Sequence, residues 1–353
     1  MFSKSFIDLF SRPFRNIRHR FLRDLIVIVL FTSGGILTIT IIQGYYIRKN
    51  IARSHMVQVT DRALDKFKNF YKPVENSLIL SQKWGQAGIL NLADVPSLNA
   101  KFIPLLEQLP QVSGLIIADS NKAEYFLTRE DRNWLTRTTG SGQHNGRVLW
   151  KRWQGTGGMV EQWSEKLNYN PISRLWYQGA IKESHEDKIF WTEPYIFFTK
   201  KVPGITGSMR MHPKGDKKIT LVVAFDVLLS NIFKSIAELT VSDMGKAFLF
   251  NSKGDVFPAG STGAFLNDGQ NDGKSKKSFF VAAEKLNVAL IADALKAWEK
   301  NNKLPFEPIE FKSEKETCWG VFQPLNTNDW TVLIGVAVPE SDLLGKINKK
   351  RMW

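Results

Sequence analysis

The sequence predicts an α+β protein: an N-terminal transmembrane helix, a long stalk helix, then two antiparallel-sheet units of similar plan. Three observations carry that expectation. Leu25 to Ile47 holds no charged residue over 23 positions. The apolar residues that follow, Ile51, Met56, Val59, Ala63, Phe67, Phe70, Leu78 and Leu80, recur at mostly helical spacing. Beyond them, strand-like runs punctuated by Gly, Asn and Asp come in two cycles.

The apolar run is long enough to cross a bilayer, since about 1.5 Å per helical residue gives a span of about 35 Å. Twelve residues between Leu25 and Ile42 are Leu, Ile, Val or Phe. Together they favour insertion by about 4 to 7 kcal/mol, before smaller costs from Thr32, Ser33, Thr38 and Thr40. Gly34 and Gly35 suit close helix contact in lipid, and Tyr45, Tyr46, Arg48 and Lys49 mark the outer boundary. A cleaved signal peptide would be shorter and end in small residues; here the run continues into Gln43-Gly44-Tyr45-Tyr46. The segment therefore reads as a retained signal anchor.

The net charge of +14 is concentrated at the ends. Lys4, Arg12, Arg15, Arg18, Arg20 and Arg23, against Asp8 and Asp24, precede the span, and Lys346, Lys349, Lys350 and Arg351 close the chain, together about +8 of the surplus. Basic residues beside an apolar span are a topology signal that keeps that side in the cytoplasm. With no zinc-ligand spacing and no aromatic RNA-binding motif, nucleic acid is not an expected partner. Cys318 is the only cysteine, so an exported domain here relies on its core.

The expected organisation is a basic cytoplasmic segment (1–24), the anchor (25–47), a stalk helix (48–92) with a bend near Pro73, two sheet units (93–230 and 231–345), and a basic juxtamembrane tail (346–353). In the first unit the strand-like runs are Gly114–Ala118, Tyr125–Thr128, Arg147–Arg152, Ile189–Thr192, Tyr195–Thr199 and Ile219–Phe225. After a helical stretch over Val227–Leu239, the second cycle has Lys246–Asn251, a helix over Val288–Asn301, and strands near Pro308–Phe311, Cys318–Pro324 and Trp330–Val336. The cycles echo each other: GLIIADSNKAEY matches AFLFNSKGDVF, and KITLVVAFDVLLSNI matches WTVLIGVAVPESDLLGKI. Ser261–Ser278, rich in Gly, Asn, Asp and Lys, reads as an exposed loop.

In this order the chain resembles a double Cache (tandem PAS-like) sensor ectodomain of bacterial transmembrane receptors, over about residues 48–345. The specific stretch is YNPISRLWYQGAIKESHEDKIFWTEPYIFF, with Arg-x-Trp-Tyr followed by Pro-Tyr, and VVAFDVLL resembles the closing strand of the ligand-binding unit. The resemblance implies a membrane-distal ligand-binding PAS-like unit and a membrane-proximal one, with a site at Tyr169, Arg174, Trp176, Tyr177, Tyr195 and Asp226. Arg174 offers a planar fork for a carboxylate, Asp226 a negative charge for an ammonium, and the rings an apolar wall with polar handles. The implied ligand is a small carboxylate or amino-acid-like molecule (an amino acid, organic acid or amine). Phe197 stands where amino-acid-binding members carry an Asp, which weakens the case for an α-amino acid.

The plainer readings are set beside these. Arg174 could stack on an aromatic surface with Trp176 and Tyr177 in the core, and Asp226 could cap a helix. Trp150, Trp153 and Trp163 read as core aromatics, Cys318 as a small buried hydrophobe, and Gly155-Thr156-Gly157-Gly158 as a loop. His144, His185 and His212 lack paired metal-ligand spacing. No nucleophile–base set is present, so no catalysis, cofactor or metal is expected; the partners are a small ligand, the membrane, and a second copy through the stalk helix. In the family the last helix leads into a second span and an output module. The ending at Arg351-Met352-Trp353 is therefore expected to reflect a truncated chain, an interrupted gene or an output-free sensor.

Overall fold

The computed structural model describes residues 17–140, 146–216, 218–232, 241–257, 280–327 and 330–343. The chain divides into two compact units, Met1–His55 and Met56–Trp353. The loop read over Ser261–Ser278, His144, the basic tail and most of the basic N-terminus lie outside the described residues.

Helix α1, Ile17–Gln86, begins in the first unit and ends in the second. In the first unit it is long and apolar enough to cross a membrane, with a mean hydropathy of 2.5 over its best window and none of that window buried. Phe31 is 85% exposed, and its apolar neighbours are exposed too, a surface that water disfavours and lipid accepts. The threonine hydroxyls in this stretch are satisfied internally: Thr32 Oγ1 donates to Ile28 O (2.9 Å), Thr38 to Gly34 O (2.8 Å) and Thr40 to Ile36 O (2.8 Å). Nothing polar on those side chains then needs water.

In the second unit the rest of α1 buries Met56, Ala63, Phe67, Tyr71, Val74 and Leu78, a stripe at helical spacing. The helix runs on through Pro73 and ends at Gln86, short of residue 92. Gly88 then takes a positive φ of 76° in the turn that follows. A second helix, α2 (Val95–Glu107), opens with Asp94 Oδ1 accepting from Ser97 N (3.1 Å) and Pro96 in the first turn.

Nine strands form one antiparallel sheet: β1 (Val112–Asp119), β2 (Glu124–Glu130), β3 (Asn133–Thr139), β4 (Arg147–Gln154), β5 (Gly158–Lys166), β6 (Phe190–Trp191), β7 (Tyr195–Ile196), β8 (Pro203–Met211) and β9 (Leu221–Leu228). The spatial order is β5-β4-β3-β2-β1-β9-β8-β6, with β7 paired to β8. On one face Tyr125 OH donates to Asn99 Oδ1 of α2 (2.8 Å) and Gln111 Nε2 to Phe70 O of α1 (3.0 Å). On the other, a short helix, α3 (Leu175–Lys182), buries Trp176, Tyr177 and Ala180 against Ile116, Phe126 and Ala224.

A second, four-stranded antiparallel sheet has the order β10-β13-β12-β11: β10 (Lys246–Asn251), β11 (Ile309–Ser313), β12 (Glu316–Thr327) and β13 (Trp330–Pro339). Helix α4 (Ala289–Lys300) packs Leu295 and Trp298 against Phe250, Phe311 and Phe322. The echo between the cycles is partial. β1–β2 is a full hairpin, whereas after β10 the chain returns, among the described residues, through isolated bridges from Val256 to Phe250 and to Val281. The helix expected over Val227–Leu239 starts later: β9 continues to Leu228, residues 229–232 are helical, and 233–240 lie outside the described residues.

Candidate functional site

The site lies where the middle of the nine-stranded sheet meets the start of α3 and the β7–β8 turn. Asp226 is paired with Thr206 of β8 on one side and Gly114 of β1 on the other. Its strand neighbours Phe225 and Val227 are fully buried on the opposite face, so alternation sends the carboxylate toward α3. It does not cap a helix; it is interior to β9. A carboxylate at that depth is costly unless it finds donors. Thr206 Oγ1 donates to Asp226 Oδ1 at 2.6 Å, which leaves Tyr195 OH, 2.6 Å from the same Oγ1, to donate in turn. Gly114 keeps the space open: a Cβ there would sit 3.1 Å from the Phe126 ring and 3.6 Å from Asp226 Oδ2. Among the described residues Oδ2 accepts no hydrogen bond. Burial pushes the Asp226 pKa from 3.8 up to about 7, against the opposing pull of Thr206, Lys200, Arg174 and Arg137.

Arg137 of β3 forms the floor. It is 1% exposed and grips Glu124 of β2 bidentately, Nε to Oε2 and Nη2 to Oε1, each at 3.0 Å. Nη1 donates to Thr199 Oγ1 at 2.9 Å, tying the β7–β8 turn to the sheet. Its guanidinium also lies 4.1 Å from the Tyr169 ring centre and 4.8 Å from that of Phe126. Burial opposes the charge most, but Glu124, joined by Tyr169 and Asp226, leaves the Arg137 pKa raised.

Arg174 shares the Tyr169 and Phe198 rings but has no partner like Glu124 among the described residues. It precedes α3 in extended backbone (φ −79°, ψ 150°), held by Gln178 N donating to its carbonyl at 3.0 Å. Its guanidinium lies 5.8 Å from Tyr169 and 5.5 Å from Phe198 ring centres. Among the described residues it makes no hydrogen bond and no ion pair, so its fork of donors is free. Lys200, in the β7–β8 turn, is likewise unpaired among them; burial lowers its pKa, and Asp226 pulls the other way.

Tyr169, Arg174, Trp176, Tyr195 and Asp226 all line one cavity, together with Arg137, Phe197 and Lys200. Tyr177 does not line it. Successive helical residues point about 100° apart, and Tyr177 turns into the apolar cluster with Ile116 and Val222. The free space among the lining side chains is about 20 Å3, close to the volume one water needs. Glu193 is exposed, whereas Phe197 is buried in the cavity wall.

Sequence reasoning passed over Arg137, Glu124, Thr206 and Lys200. The available signal was period-two alternation: Glu124, Phe126 and Thr128 pair with Thr139, Arg137 and Leu135 on one face. Trp150 and Trp153 are buried and outside the cavity, and Trp163 stacks on Trp150 with ring centres 6.1 Å apart. Cys318 is buried, its thiol pushed up to about 11 first by burial and then by Glu316. His212 pairs with Glu186, and Gly155–Gly157 form the turn between β4 and β5.

Solved structures to which the chain is similar include ligand-binding sensory domains of chemoreceptors. One is that of Campylobacter jejuni Tlp3 in complex with L-valine, 15% identical, with a TM-score of 0.46, covering 84% of this chain and 98% of that one. Another is that of Pseudomonas fluorescens CtaA in complex with L-isoleucine, 16% identical, with a TM-score of 0.46, covering 86% and 98%. A third is the ligand-binding domain of Mlp24 with asparagine, 17% identical, with a TM-score of 0.40, covering 86% and 99%. No family model and no curated protein matches the chain.

Proposed function

We propose that the chain is the extracytoplasmic sensing region of a bacterial transmembrane signalling receptor (of chemoreceptor, histidine kinase or cyclase type), anchored by Leu25–Ile47 with its N-terminus in the cytoplasm. Residues 93–230 are the ligand-binding unit and 231–345 the membrane-proximal one. The ligand is a small carboxylate or amino-acid-like molecule. One observation carries the reading: a free guanidinium, Arg174, shares an aromatic-walled cavity with a buried acid, Asp226. Tlp3 and CtaA bind L-valine and L-isoleucine, but the chemistry of this cavity, rather than that likeness, supports the assignment.

Because the free space is near that of one water, part of the lining must move when a ligand enters, and the β7–β8 turn, which supplies Phe197, Phe198, Thr199 and Lys200, is the part we propose. Signalling follows if the displaced and resting arrangements bind the ligand with different affinity, since a ligand shifts an equilibrium only by that difference. Dimerisation through α1 is the proposed route to the membrane. The same small volume favours a second reading, an anchored partner-binding protein with no small ligand. A thermal-shift and calorimetric screen of the detergent-solubilised chain against amino acids, organic acids and amines separates them. The sensor reading expects a hit that Arg174→Ala weakens by about tenfold or more; the partner reading expects none, and capture of a protein by crosslinking.

A further inference from the structure

The cavity carries more positive charge than a zwitterion needs. Arg137 is neutralised by Glu124 at 3.0 Å through both carboxylate oxygens. Arg174 and Lys200 have no acidic partner within ion-pair distance among the described residues. Asp226 is the one remaining acid on the wall, and Thr206 already donates to its Oδ1 at 2.6 Å. Asp226 lies within electrostatic reach of both free cations without touching either.

An α-amino acid with its carboxylate on Arg174 would bring an ammonium into this region. That ammonium would face the Lys200 cation and a single acid, and Phe197 adds no charge. A molecule with two acids and no amine meets the opposite situation, because each carboxylate finds a free cation and no ammonium is left beside Lys200. Resting on the reading of this cavity as a ligand site, we propose that it takes a short dicarboxylate, one carboxylate in the fork of Arg174 and the other on Lys200. Arg174 gives a planar pair of donors from the α3 side, and Lys200 a point charge from the β7–β8 turn. The rings of Phe126, Tyr195 and Phe197 flank the linker between the two acids.

A consequence concerns protons. The groups that act on Asp226 are Thr206 and Tyr195 from β8 and β7, Lys200 from the turn, Arg174 from before α3, and Arg137 from β3. Neutralising Lys200 and Arg174 with a dianion removes the cations that favour the ionised acid. Asp226 then takes up a proton, which it can donate through Oδ2 to the ligand. Affinity falls as pH rises above about 7.

Calorimetry on the full chain in detergent tests this with malonate, succinate and glutarate against butyrate and L-valine, in two buffers of different ionisation heat. The expected result is that one dicarboxylate binds about a hundredfold or more tighter than butyrate or L-valine, with proton uptake. Lys200→Ala weakens that dicarboxylate about tenfold or more and leaves butyrate unchanged. If L-valine binds best, or Lys200→Ala leaves the dicarboxylates unchanged while Arg174→Ala abolishes binding, the dicarboxylate assignment is overturned and the ligand site stands. If no acid or amino acid binds, or binding survives Arg174→Ala unchanged, the ligand site falls and this inference with it. Unfolding curves of each variant confirm that a loss of binding is not a loss of fold.

Discussion

Arg137 and Arg174 line the same cavity, yet their surroundings give them opposite work. Arg137 is held at 1% exposure by Glu124, Thr199 and four rings, so its charge is spent inside the protein. Arg137→Met leaves Glu124 a buried, unpartnered acid, and chemical denaturation should show a loss of about 3 to 5 kcal/mol. Pairing it with Glu124→Gln should recover a large part of that loss. Arg174→Ala, by contrast, breaks no hydrogen bond or ion pair among the described residues, and its unfolding midpoint should hardly move. Asp226 supplies the pH dependence. Its folded carboxyl titrates at about 7 against an ordinary 3.8, so the folded state keeps the proton over that interval. Stability therefore falls as pH rises from about 4 to about 7. Asp226→Asn keeps an acceptor for Thr206 and removes the titration. Thermal melts should show the variant gaining on the wild type steadily across that range; a constant difference would mean that Asp226 is ionised throughout. Arg174, Trp176 and Asp226 were legible in the sequence because they sit in a motif. Arg137 and Glu124 were not, since nothing local links an arginine within Thr136-Arg137-Thr138 to a glutamate opening the previous strand; only the pairing of β2 with β3 brings them together, diagonally on one face.

At the scale of elements, the cavity depends on a row across three strands in which the acid Asp226 is flanked by Gly114, which leaves space, and Thr206, which donates a hydroxyl. Gly204, two residues before Thr206, lets the Phe197 ring lie directly against β8; a Cβ there would come within 2.0 Å of the ring. Gly204→Ala should push Phe197 and the β7–β8 turn outward. Ligand affinity should change while the rest of the sheet keeps its amide protection, and hydrogen exchange together with calorimetry would show both. Most strands were readable as apolar runs between turns; β3 was not, since Trp134-Leu135-Thr136-Arg137 carries no alternation and all four are buried. β5 was not, because both its faces are exposed and it offers no contrast between them. β8 was obscured by Gly204 and Gly207, and α2 by Pro96 and Pro104, residues that propensity counts against the elements that contain them. Tyr177 shows a related limit: its ring packs edge-on against Trp176, 5.7 Å between centres, yet only Trp176 reaches the cavity.

For the molecule as a whole, the apolar run of α1 and the sheet unit bearing the cavity place opposite demands on solvent. The first exposes Leu, Ile, Val and Phe along its length, and the second encloses its apolar residues in cores. Carbonate washing should leave the chain in the membrane fraction, and detergent should release it. A single cysteine at the exposed Glu161, in a Cys318→Ser background, should react with a membrane-impermeant maleimide on intact spheroplasts; labelling only after lysis would reverse the proposed orientation. This scale was the most legible one, because a 23-residue uncharged run and a charge imbalance survive any uncertainty about individual strands. The size of the cavity was not legible at all, since it depends on how Phe197 and Trp176 pack. The most direct test is a crystal structure of the chain with its best-binding small carboxylate. The account expects the carboxylate seated on the guanidinium of Arg174, between the rings of Tyr169 and Phe198, with the β7–β8 turn displaced. A ligand bound elsewhere, with Arg174 still unpaired, would contradict it.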